Sequence, residues 1–164
     1  MNKVIKKLKI NDIHSQNILG KDVVVAVLDS GISPHPDFED RILYFKDFVN
    51  NKTTPYDDEG HGTHVSGIIA GSGKLSHRIM KGVAPKSKII SIKVLNNKGI
   101  GREQHVLNGL HWIVDNGKKY NIKVVNLSFG TLNNNDTQNK KLIDEVELLW
   151  DLGYVVIAAA GNNG

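Results

Sequence analysis

The run Asp22–Leu28 (Asp-Val-Val-Val-Ala-Val-Leu) ends abruptly at Asp29-Ser30-Gly31. It is apolar and β-branched, with no alternation of polar and apolar positions. Such a run predicts a strand buried on both faces, the habit of parallel sheets covered by helices on each side. Three further runs have the same character: Ile89–Leu95, ending at Asn96-Asn97-Lys98-Gly99; Val124–Leu127, ending at Ser128-Phe129-Gly130; and Tyr154–Ala160, ending at Gly161-Asn162.

Helical patterns fill the gaps. Thr63–Ala70 is rich in small residues, and Gly67 and Ala70 permit close packing. Glu103–Lys119 places Val106, Leu110, Ile113 and Val114 at helical spacing, and Asp136–Leu152 does the same with Leu142, Val146, Leu149 and Trp150. Strand–helix–strand repetition predicts an α/β, doubly wound, mainly parallel sheet flanked by helices. Ligands in such sheets collect beyond the carboxyl ends of the strands, where Asp29, Ser128 and Asn162 fall.

The chain has 164 residues, 40% hydrophobic and 23% charged, which suits one domain with a core. Cysteine is absent, so disulfide frameworks, thiolate nucleophiles and cysteine-based zinc sites are excluded. The longest apolar run falls far short of the roughly 20 residues that a membrane helix requires, so no membrane partner is expected. Net charge is +4. Lys3, Lys6, Lys7 and Lys9 are read as a solvated basic arm over residues 1–12 rather than as a nucleic-acid contact. No signal peptide or prodomain is visible, which leans toward the cytoplasm; a truncated N-terminus would reverse that toward secretion.

Three places carry candidate chemistry. Asp29, directly after a buried strand, reads as a turn residue bonding the backbone of Gly31 or Ile32, or as an orienting carboxylate or metal ligand. Asp57-Asp58-Glu59-Gly60-His61-Gly62-Thr63-His64 offers His61 as a general base near a helix start, or His61 and His64 as a metal pair with Asp57 or Asp58. For His64, packing beneath the helix with a hydrogen bond is the expected role. In Ala158-Ala159-Ala160-Gly161-Asn162-Asn163-Gly164, small side chains leave room for a pocket floor, and the Asn162 amide is a candidate donor to a developing oxyanion.

The order of these motifs resembles the subtilisin-like serine proteases. Asp-Ser-Gly-Ile at 29–32 is followed by His-Gly-Thr-His-Val-Ser-Gly at 61–67, Asn-Leu-Ser-Phe-Gly at 126–130 and Ala-Ala-Gly-Asn-Asn-Gly at 159–164. Ile13-His14-Ser15-Gln16, Gly82-Val83-Ala84-Pro85 and the segment from Lys93 to Gly101 agree, so the resemblance runs from about Ile13 to Gly164. It implies a catalytic domain over 13–164 with Asp29 as the triad aspartate, His61 as the general base and Asn162 as the oxyanion donor. It also implies that Gly99-Ile100-Gly101 and Ser128-Phe129-Gly130 flank an extended polypeptide substrate as added strands. Ala159 and Gly161 would floor the primary specificity pocket.

The family's nucleophile lies in a Gly-Thr-Ser-Met-Ala segment, and none occurs here: Gly62-Thr63 is followed by His64, and Gly130-Thr131 by Leu132. The expectation is an N-terminal portion of the catalytic domain, incomplete at its C-terminus and inactive alone. Its partners would be an extended polypeptide and a C-terminal fragment carrying the serine. No cofactor is needed for such chemistry. Asp37 matches a residue that helps bind calcium in many relatives, but residues 71–78 add cations rather than oxygen ligands, so calcium is not supported. The alternatives are a non-catalytic peptide-binding fragment or member, and a metal-dependent hydrolase.

Overall fold

The computed structural model describes residues 2–130 and 136–160, with side chains described for 5–130 and 140–160. Along the chain it forms α1 (Asn2–Lys7), α2 (Ile10–Ser15), β1 (Val24–Asp29), β2 (Ile42–Asp47), α3 (His61–Ala70) and β3 (Lys88–Lys93). Then come α4 (Glu103–Asn116), β4 (Ile122–Leu127), α5 (Asp136–Asp151) and β5 (Val155–Ala158). The five strands form one sheet in the order β2-β3-β1-β4-β5, and every neighbouring pair is parallel.

β1 is the hinge of this topology. After it the chain builds β2 and β3 on one side and then crosses to lay β4 and β5 on the other. A crevice at the carboxyl end of such a switch strand is the usual ligand address in α/β sheets, and that end is Asp29. Every residue of β1 is buried. Val24, Ala26 and Leu28 join Ile90, Ile92, Leu110, Ile113 and Leu149 in a core beneath α4 and α5. Val25 and Val27 turn the other way and pack with Ile32, Phe38, Ile89 and Ala70, with Val65 and Ile69 of α3 alongside. Two-sided burial is why the sequence of β1 shows no alternation. Each such side chain contributes about 1.5–3 kcal/mol.

Three features differ from the sequence reading. β2 was missed: as an edge strand it mixes exposed Leu43 and Tyr44 with buried Phe45 and Asp47, a pattern without a clean period. The basic arm is helical, and a boundary drawn after residue 12 falls inside α2. α2 buries none of its residues, but His14 Nε2 lies 2.9 Å from the Val83 carbonyl and ties the helix to the body. His64 is exposed and makes no side-chain hydrogen bond among the described residues, against its expected packing role. One helical turn past His61, it borders a mostly apolar cavity of about 460 Å³ with Phe38, Ile68 and Met80.

Candidate active site

The start of α3 is built by side chains from outside the helix. The first backbone N–H groups of any helix lack intrahelical partners. Here His61 N donates to Glu59 Oε2 at 2.8 Å, Gly62 N to Ser30 Oγ at 2.9 Å and Thr63 N to Asp57 Oδ2 at 2.8 Å. Asp57 also accepts from Thr63 Oγ1, Ser30 Oγ and the amides of Glu59 and Gly60. Burial alone would raise its carboxyl, but the bonds from Thr63, Gly60 and Ser30 outweigh it and hold Asp57 below the usual carboxylate range. A carboxylate at this end of α3 also complements the helix dipole.

Gly62 sets the distance between α3 and the end of β1. A Cβ there would lie 2.3 Å from the Gly31 carbonyl oxygen and 3.0 Å from Asp29 Cβ, so only glycine lets the helix approach this closely. Gly31 adopts φ +125°, where a Cβ would meet Tyr56 O at 2.2 Å, and bridges to Asp57 in an antiparallel pairing.

This close approach brings Asp29 and His61 together. Asp29 is fully buried, and His61 Nδ1 lies 2.9 Å from each of its carboxylate oxygens. The Ser30 amide donates to Oδ1 at 2.7 Å, so the backbone partner is Ser30 and not the expected Gly31 or Ile32. Burial pushes the Asp29 carboxyl up, opposed by the His61 and Ser30 hydrogen bonds. The same hydrogen bond to Asp29 raises the His61 imidazole above its ordinary value, against a smaller effect of burial. An ionised carboxylate only accepts, so Nδ1 carries the proton and Nε2 is left as the basic nitrogen. The His61 side chain is 44% exposed, and Nε2 has no hydrogen-bond partner among the described residues.

Behind the pair sits a residue that sequence reasoning missed. Lys93, the last residue of β3 and the register partner of Asp29, is completely buried. Its ammonium donates to the Ser30 carbonyl, to Asp58 Oδ1 at 2.6 Å and to the Leu95 carbonyl at 2.8 Å, and lies 5.1 Å from the Tyr56 ring centroid. Tyr56 in turn donates to Asp47 at 2.8 Å, and burial first, then that carboxylate, pushes its hydroxyl up to about 12. One buried cation thus joins the turn after Asp29 to the loop before His61.

The remaining candidates share this end of the sheet. Leu95 and Gly101 form an antiparallel bridge, and a Cβ at Gly99 would come within 3.7 Å of Glu59 Oε1, so 99–101 borders the His61 loop. Ile100 is exposed. Ser128 and Phe129, half-buried, and exposed Gly130 continue from β4, where Asn126 Nδ2 donates to Ser128 Oγ at 2.8 Å. Ala159 follows β5, its amide donating to the Leu127 carbonyl at 3.0 Å. Gly161 and Asn162 lie outside the described residues.

A metal pair fits poorly. His61 Nδ1, Asp57 and Asp58 are engaged as above, and among the described residues no three His, Asp or Glu side chains come together in a ligating arrangement. Around Asp37, Oδ1 accepts the Leu75 amide at 3.0 Å, the carbonyl accepts from Ser72 N and Arg41, and the adjoining loop brings Lys74 and Arg78. Calcium requires a shell of oxygen ligands.

The family model described as "Subtilase family" matches residues 20–164. Serine protease AprX of Bacillus subtilis (strain 168) is 42% identical over 156 residues, which is 92% of this chain and 35% of that protein. A subtilisin of Bacillus pumilus is 40% identical over 163 residues, 98% of this chain and 54% of that protein. A crystal structure of a cold adapted subtilisin-like serine proteinase matches with a TM-score of 0.73 and 32% identity, over 89% of this chain and 49% of that one. The chain therefore spans about a third to a half of the relatives it matches. Its parallel five-stranded sheet with helices on both faces is a subtilisin-like fold. With that sheet, and with the match running unbroken through both Asp29 and His61, the chain belongs to the subtilase family.

Proposed function

We propose that this chain carries the acid–base part of a serine endopeptidase: Asp29 and His61 of an Asp-His-Ser triad whose nucleophilic serine lies in sequence outside these 164 residues. The observation that carries the reading is the Asp29–His61 contact, with Nδ1 held by a buried carboxylate and Nε2 free at the open end of the sheet. In the reaction His61 Nε2 takes the serine hydroxyl proton as its oxygen bonds to the scissile carbonyl carbon. It then gives that proton to the leaving amine as the C–N bond breaks. Asp29 holds the ring in one tautomer and stabilises the imidazolium. Asn162 is assigned the oxyanion donor, 99–101 and 128–130 the strands that flank the substrate backbone, and Ala159 and Gly161 the pocket floor. The step needs no metal or cofactor.

By itself the chain does not cut peptides. Ser30, the serine next to Asp29, supports this: its hydroxyl donates to Asp57 and accepts from Gly62 N, so it cannot also serve His61 Nε2. The test is hydrolysis of a chromogenic peptide by this chain, by this chain mixed with a segment carrying Gly-Thr-Ser-Met-Ala, and by any longer gene product. Each is run with and without a serine-directed inhibitor. Turnover in the latter samples only, abolished by the inhibitor, is expected. Turnover by the 164-residue chain alone would refute the placement of the serine. Stoichiometric zinc at His61 and His64 would sink the protease reading altogether.

A further inference from the structure

We propose that the amino ends of β1, β2 and β3 form a docking groove for an acidic polypeptide segment, at the pole of the sheet opposite Asp29 and His61. Asp22, Arg41 and Lys88 stand at the starts of these three strands, and all line one cleft of about 1050 Å³. Seven Lys and Arg side chains line it against two carboxylates. Two of the cations are already engaged: Arg41 donates to the carbonyls of Asp37, Ala70 and Ser87, and Lys74 pairs with Glu39 at 3.3 Å. Lys21, Arg78, Lys81, Lys86 and Lys88 have no ion pair among the described residues, and Asp22 is the one carboxylate of the lining left uncommitted. Like charges around one cleft repel one another, and an anion between them relieves that repulsion.

The array is held in place by backbone rather than by chance side-chain placement. Lys86 N donates to the Leu19 carbonyl and Lys88 N to the Val23 carbonyl, both at 2.9 Å, which fixes one wall. On the other wall, His77 and Arg78 adopt left-handed backbone conformations at φ +49° and +70°, pinned by Arg78 N donating to the Gly73 carbonyl at 2.7 Å. A second cavity, of about 230 Å³, shares Arg78 and Lys81 and adds Lys6 and His14. The cationic surface therefore continues to Lys6 of α1.

The occupant is a carboxylate-bearing polypeptide rather than a nucleic acid. No Phe, Tyr or Trp lines either cavity, so there is no platform on which a base could stack. Asp22 and Glu39 interrupt the positive wall, and a continuous phosphate backbone would have to run past them. Acidic side chains on a flexible polypeptide are spaced along the chain and can settle between. Leu19 and Pro85 supply apolar lining for their methylenes. This groove is independent of the catalytic reading.

The test titrates labelled hexaglutamate with the 164-residue chain, following anisotropy at low and physiological salt, with duplex DNA of equal charge as competitor. Binding that weakens with salt is expected, and K21E/R78E/K86E, all exposed positions, weakens it by about tenfold or more. His61 ring resonances stay unmoved during the titration. If circular dichroism shows the reversal variant unfolded, K21Q/R78Q/K86Q takes its place and should show a smaller loss in the same direction. Equal affinity of a folded variant overturns the proposal. So does a His61 shift at the same peptide concentration, which would place the peptide at the catalytic end. Duplex DNA that binds more tightly than hexaglutamate and loses affinity in the same variant assigns the groove to phosphate and overturns it as well.

Discussion

The two sides of the central strand are finished to different degrees. On the β3–β2 side, the edge strand is covered in part: Tyr44 of β2 stacks on Trp112 at 5.3 Å and packs against Tyr120 at the same distance. Asp57, Lys93 and Asp47 there have several partners each. On the β4–β5 side, Val155 and Ile157 of β5 are 49% and 51% exposed, and Ile143 and Trp150 of α5 are 54% and 65% exposed. The polar machinery is closed by its own atoms, whereas the apolar surface beside it is not. The polar cluster of the first side should answer sharply to single substitutions, and the exposed apolar residues of the second hardly at all.

The strongest way to break that contrast is Lys93→Met. It leaves the Ser30 and Leu95 carbonyls without their shared buried donor, at about 1–3 kcal/mol for each acceptor left unsatisfied, while Asp58, 36% exposed, turns to water. Urea denaturation should show it as a large fall in midpoint; a change below about 1 kcal/mol, the range of an exposed ion pair, would mean the ammonium is solvated after all. Next comes Gly62→Ala. The added methyl meets the Gly31 carbonyl oxygen at 2.3 Å, and overpacking of this kind costs about 1–3 kcal/mol. The same substitution should separate His61 from Asp29, read as a fall of the imidazole titration midpoint toward that of a free histidine.

A third prediction uses pH. Because Asp29 raises His61 in the folded state, their pairing contributes stability that is complete below the ordinary imidazole value of 6.5 and is lost as pH rises through the raised folded value. The stability gap between the wild type and Asp29→Asn should therefore be wider at pH 5.5 than at pH 9, measured by denaturation at both. A gap that widens with pH would show that His61 is not stabilised in its charged form. The smallest effect belongs to the other side. Trp150→Gln and Ile157→Thr should each change stability by no more than about 0.5 kcal/mol. They should also reduce self-association in sedimentation, since exposed apolar faces promote it. A cost above that range would show these residues buried against something in solution.

How much of this was legible follows the same division. The unbroken apolar run of β1 was visible because burial on both faces writes itself into composition, and Asp29 and His61 were visible because each sits in a short local motif. Lys93 was not: nothing in the run Ile89–Leu95 marks its lysine as a buried cation, and its partners Ser30 and Asp58 lie 63 and 35 residues away. Asp57 was read with Asp58 as a possible metal ligand, because its role as a cap rests on amides that only the folded chain brings near. β2 escaped because an edge strand covered in part by aromatic rings has no regular period. His64 misled in the other direction: three residues past His61 it looked like a packing residue, yet α3 turns it to solvent.

The external caps at the start of α3 have a consequence for exchange with solvent. First-turn amides of a helix ordinarily trade hydrogen with water almost freely, since nothing inside the helix holds them. Here Gly62 N and Thr63 N are held by Ser30, which follows β1 directly, and by Asp57, which Ser30 also bonds. Those two amides should exchange only when the end of β1 opens, in step with the centre of the sheet. His61, the proposed general base, would then be anchored to the fully buried central strand, although its own ring is 44% exposed.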